Sequence, residues 1–146
     1  MTGPDLDELV AGGRIELVSA DVRAAAALLE EAARHLMSAA AIASTDPNGS
    51  YALLYDAVRK AVTAHMLARG YRVASGRLGG HEAVVRYAEA SLSEGPHSEH
   101  VAQLDRMRRA RNRSEYGLAT FGANQLETDL QHARAIVAAV RANAQP

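Results

Sequence analysis

Apolar residues recur every three or four positions along most of this chain, and Gly- and Pro-rich breaks divide the recurrence into segments. The first long segment spans residues 19–44, with Ser19 as N-cap and Leu28, Leu29, Ala32, Leu36 and Ala39 at helical spacing. Asp46-Pro47-Asn48-Gly49 then reads as a turn. Ser50 can cap a second helix, "YALLYDAVRKAVTAHMLARG", whose inner face carries Leu54, Val58, Ala61 and His65. A third helix reads "HEAVVRYAEASL" and stops at "EGP"; residues 98–115 form a fourth. The fifth, "NQLETDLQHARAIVAAVRANA", aligns Leu126, Leu130, Ala133, Val137 and Val140. A short helix covers "DLDELV" near the start.

Short connections between long amphipathic helices favour antiparallel neighbours. The expected fold is therefore all-α, an up-and-down bundle of four to five helices. It forms a single domain over residues 1–146, with a core at about 19–142 and a short N-terminal segment, 1–18. A solenoid would need a repeat of 20–50 residues, and none is found. A winged-helix DNA binder would need a strand pair, and the pattern offers none.

Composition supports this picture. Alanine is abundant, Trp is absent, and five Tyr and one Phe are the only aromatics, so the core is built mainly from Ala, Leu and Val. With no Cys, neither a disulfide framework nor a thiolate metal site can form. The acidic start "MTGPDLDELV" has no signal-peptide pattern, and no apolar run approaches the ~18–20 residues of a membrane span. The expected location is cytoplasmic. A pI near 6.6 requires any nucleic-acid contact to come from a local patch.

Such a patch is present. Residues 106–117 read "RMRRARNRSEYG", with five arginines in eight positions of a chain whose formal net charge is −1. Each helical residue advances about 100°, so with Arg109 at zero Leu104 falls near ~220°, Met107 near ~160° and Leu118 near ~180°. Arg111, near ~200°, stands in the middle of that apolar arc. Arg108, Asn112, Glu115 and Tyr116 share its polar sector, whereas Arg106, Arg109 and Arg113 fall on the outer face. An unpaired arginine is costly to bury there. Two readings follow: an Arg111–Glu115 ion pair that fixes register or a dimer contact, or a site aimed at a ligand.

At these residues the chain resembles the HEPN superfamily, the higher eukaryotes and prokaryotes nucleotide-binding domains. Their signature places an Arg, often followed by Asn, a few positions before a His near the end of a late helix. Here "RNRSEY" supplies Arg111, Asn112 and, in the place of the His, Tyr116. "YALLYDAVRKAVTAHMLARGYRV" is similar to the second helix of that family and "GGHEAVVRYAEASL" to the segment after it; the likeness covers roughly residues 19–142. The resemblance implies a dimeric helical bundle, and in many members a metal-independent endoribonuclease without cofactor. Many act as toxins, beside a nucleotidyltransferase or antitoxin partner. It implies catalytic roles for Arg111, Asn112 and Tyr116, with Arg108 and Glu115 in binding.

RNA cleavage without a metal needs the 2′-hydroxyl to attack the adjacent phosphorus in line, with the developing negative charge stabilised. The guanidinium fork of Arg111 suits the non-bridging oxygens. Tyr116 departs from the family pattern, because a phenol with a pKa near ~10 is a poorer proton acceptor than an imidazole. Two other classes remain open: a non-catalytic interaction or regulatory module, and a nucleotide-binding module.

Other candidates weigh less. His97 and His100 in "HSEH" stand at a spacing that can share a metal, but no third ligand run accompanies them. His65 reads as a satisfied core residue. His81 follows two glycines at a helix start and has no sequence link to Arg111. Tyr51, Tyr55 and Arg59, at i, i+4 spacing, either line the cleft or pack and snorkel, and packing is the favoured reading. "SGRLGG" lacks the Lys-Ser/Thr ending and preceding strand of a phosphate loop.

Overall fold

The computed structural model describes residues 5–74, 79–117 and 120–144. The expected all-α bundle is what forms. Helix α2 (Val22–Ile42) begins on Asp21, whose carboxylate accepts the Ala24 N–H at 2.9 Å. The N-cap thus lies two residues beyond Ser19, at the stronger acceptor. Helix α3 (Pro47–Arg69) begins inside the expected turn. Asp46 accepts the Gly49 N–H at 3.0 Å, and Pro47 supplies a first-turn residue with φ already set. Ser50 is therefore not a cap: it is buried, and its hydroxyl donates to the Ala39 carbonyl at 2.7 Å.

That bond at one end, and the Asp21 N–H donated to the Leu67 carbonyl at the other, make α2 and α3 an antiparallel pair. Helix α7 (Ala123–Ala144) packs against both. Tyr51 reaches Asp129, and Ala64 and Ala68 meet Val140, so α3 and α7 run in the same direction. Helix α3 occupies the centre. Its buried residues, among them Tyr51, Leu54, Val58, Ala61, Val62 and Met66, lie on more than one face. The stripe Leu126, Leu130, Ala133, Val137 and Val140 of α7 is wholly buried against it.

Helices α4 (Gly80–Ser91) and α6 (Leu104–Glu115) pack on α3 and on each other, and α5 (Ser98–Val101) packs on α7. The fourth expected helix is thus broken into α5 and α6 at Ala102 and Gln103. Helix α1 (Leu6–Ala11) comes first in the chain and packs on α4.

A strand pair is present where none was expected. Strands β1 (Ile15–Leu17) and β2 (Tyr71–Val73) pair antiparallel, with Glu16 opposite Arg72 and an ion pair between them. Gly70 makes this join possible. It ends α3 in the left-handed region at φ 85°, and a Cβ there would stand 2.8 Å from the Val18 carbonyl oxygen. Among the described residues, no helix is long and apolar enough to cross a membrane.

Candidate functional site

Leu104, Met107 and Ala110 bury one side of α6, as the angular reading requires; Leu118 lies outside the described residues. Arg111 follows on the edge of that buried side, its side chain 29% exposed. Its Nη2 stands 3.8 Å from Glu115 Oε1, within Coulomb reach but beyond a hydrogen bond. Its Nε is buried and has no hydrogen-bond partner among the described residues.

The neighbouring acids are committed elsewhere. Asp105 receives Arg108 at 3.0 Å, Arg109 at 2.8 Å and Arg86 of α4 at 3.2 Å. Burial works against the charge of Asp105, but the Arg108 hydrogen bond and these arginines hold its carboxyl below the usual range. Glu82 at the start of α4 is paired with Arg14 at 2.7 Å and lies 3.8 Å from Arg108. Asp56 on α3 is gripped by Arg59 and Lys60, each at 2.5 Å. Arg111 thus has no acid within hydrogen-bond reach among the described residues.

Tyr55, buried on α3, lies close enough to feel its charge. Burial pushes its hydroxyl up to about 12, against the opposing pull of Arg108, Arg111 and Arg59. His81, half-buried in the first turn of α4, places its ring 6.0 Å from the Tyr55 ring. Burial, then the charges of Arg59, Arg111 and Arg108, pull its pKa below the ordinary histidine value, with Asp56 opposing. Among the described residues, no side-chain hydrogen bond ties Tyr55 or His81. Helix α4 can present His81 this way because Gly79 enters it at φ 81°, a conformation other residues rarely adopt.

The structure therefore gathers Arg108, Arg111, Tyr55, Arg59 and His81 from three helices. Asn112 is half-buried one residue on, and its carbonyl accepts the Tyr116 N–H. Tyr116 closes α6 at its C-cap and is 80% exposed. Gly117 follows in the left-handed region and ends the helix. For Tyr55 and Arg59 this grouping matches the less favoured of the two sequence readings, a place lining the cleft, and no spacing along the chain links His81 to them. The motif "GGH", a helix-opening pair of glycines before an imidazole, was the available signal.

Arg106 lies on the surface, as its place on the outer arc predicts, with its side chain 44% exposed, but α7 runs beside it and ties it down. Its guanidinium donates to both oxygens of Asp129, which is fully buried. The Tyr51 hydroxyl also donates to Asp129, at 2.7 Å, and its ring stacks on Phe121 with centroids 3.7 Å apart. Arg109 and Arg113 do face solvent. His100 turns to His132 on α7, with Nδ1 atoms 2.9 Å apart, and not to His97. Among the described residues, no group of three or more His, Asp or Glu could hold a metal ion. Most of "SGRLGG" lies outside the described residues.

No protein-family model matches the chain, and neither a curated protein nor a solved structure matches it.

Proposed function

We propose that this chain is a HEPN-type domain that acts on RNA, holding a backbone phosphate at Arg111. One observation carries the reading: a guanidinium set into the protein surface with a buried, unsatisfied Nε. The Nε itself is shut away from solvent, but the side chain is 29% exposed and makes no hydrogen bond among the described residues, so its Nη donors are open to a ligand oxygen. A phosphate suits the position. It is planar-fork compatible, anionic, and flanked here by the further cations Arg108 and Arg59. Asn112 steadies the phosphate or the guanidinium. Tyr116, standing free at the helix end, offers its ring to a neighbouring base. In this reading the protein acts as a dimer, without metal or cofactor, and cleaves by attack of the 2′-hydroxyl on the adjacent phosphorus. A nucleotidyltransferase or antitoxin would be its natural counterpart, and toxicity its cellular effect.

Binding of a labelled single-stranded RNA, followed by fluorescence anisotropy across a salt series, tests this. Loss of one charge-assisted contact worth about 1.5–3 kcal/mol predicts that Arg111→Ala weakens binding by roughly 10- to 100-fold. It also predicts a salt slope shallower by about 0.7. Unchanged affinity and slope would remove the reading.

A further inference from the structure

We infer that His81, on α4, is the proton acceptor of the Arg111 site, in the role the motif alone would give to Tyr116. The inference rests on the RNA reading above and adds a catalytic residue to it.

Five other histidines are available, and four of them are committed. His65 is 4% exposed and is hydrogen bonded to the Tyr87 hydroxyl at 2.8 Å. His100 and His132 bond each other. His35 is held among Lys60, Asp56 and Glu31 at 3.2–3.5 Å. His97 lies at the start of α5, where its ring lies by Gly95. His81 alone joins three properties. It is half-buried and so reachable, it has no hydrogen bond to a described residue, and it feels the charges of Arg59, Arg108 and Arg111 together. Asp56 is the acid acting on it from α3. Burial first, and then those surrounding cations, favour the neutral ring, the form with a lone pair to offer. Tyr116 has no such setting. At 80% exposure, its phenol is surrounded by water.

The step balances as follows. The 2′-oxygen bonds to phosphorus while the bond from phosphorus to the 5′-oxygen breaks, with the phosphate held by Arg111. The 2′ proton passes to the free nitrogen of His81. The departing 5′-oxygen takes a proton from water, and the imidazolium then returns its proton to the hydroxide so formed. The products are a 2′,3′-cyclic phosphate and a 5′-hydroxyl.

The test uses the full chain and a single-stranded RNA of about 20 nucleotides. Wild-type protein is expected to yield 2′,3′-cyclic ends. His81→Ala and His81→Gln should each cleave at least about 100-fold more slowly, in line with general-base loss, while binding RNA within threefold of wild type. Added imidazole should restore part of the His81→Ala rate, which a merely structural role for the side chain would not allow. Either variant cleaving within threefold of wild type overturns the assignment, as does a wild-type protein that binds RNA but never cleaves it. Binding that ignores Arg111→Ala removes instead the reading on which the assignment stands.

Discussion

Arg106 holds Asp129 with both ends of its guanidinium, Nη2 to Oδ1 at 2.6 Å and Nη1 to Oδ2 at 3.2 Å, and Asp129 has no exposed surface. The carboxylate is thus satisfied by a cation that itself remains 44% exposed and by the buried Tyr51 hydroxyl. Burial and the neighbouring Asp129 push the Tyr51 hydroxyl far above its ordinary value, so it donates at every working pH. Asp129→Ala should cost about 2–3 kcal/mol, less than a fully buried pair because water can reach Arg106. The melting temperature should fall by roughly 5–10 °C. Asp129→Asn keeps an acceptor for Tyr51 and should lose less. Denaturant titration and thermal melts of both variants check this.

His65 should make the fold sensitive to mild acid. Burial is the main cause that lowers its pKa to about 4, from an unfolded value near 6.5, with Arg69 and His97 adding to it. A base with a lowered folded pKa binds more protons when unfolded, so its contribution is complete above pH ~6.5 and is lost as pH falls toward ~4. The full loss is on the order of 3 kcal/mol. Stability of wild type and His65→Gln, measured at intervals across that window, should show a steeper decline in wild type. Parallel curves would mean that His65 is not the source.

Gly70 should tolerate no side chain. Its φ of 85° is strained for L-residues, and an added Cβ would press on the Val18 carbonyl at 2.8 Å. Gly70→Ala is expected to cost about 1–3 kcal/mol in chemical denaturation. Gly79, also left-handed at φ 81° but with open space around a Cβ, should lose only the conformational part, about 1 kcal/mol.

Tyr116 should matter through its ring. In the RNA-binding assay, Tyr116→Ala should weaken affinity roughly tenfold, the scale of one lost base stack. Tyr116→Phe should retain most of what Ala loses. A Phe variant as weak as Ala would assign the contact to the hydroxyl.

The long helices were legible because their burial follows the helical period, as Leu126 through Val140 illustrate. The strand pair was not. Each strand has three residues, too few to show an alternation, and the pairing joins Glu16 to a residue 56 positions away. Arg111 was found because a cation on an apolar arc is conspicuous. Asp129 broke the same rule on α7, three positions after Leu126 and four before Ala133, and would have exposed the tie to Arg106 had it been read by angle. The nearness of His81 to Arg111 depends on how α4 crosses α3 and α6, which no spacing along the chain encodes.

The ribbon of β1 and β2 has a consequence for motion. Together with the Arg14–Glu82 bond, it fastens the α1 end of the chain to α4, while α2, α3 and α7 interlock without it. Opening so few backbone bonds is a smaller event than global unfolding, and would loosen α1 and the ribbon while α4 stays docked, its Tyr87 bonded to His65 of α3 and its Arg86 to Asp105 of α6. His81 and Arg111 would then share one tier of hydrogen-exchange protection, and the amides of α1, β1 and β2 would exchange first.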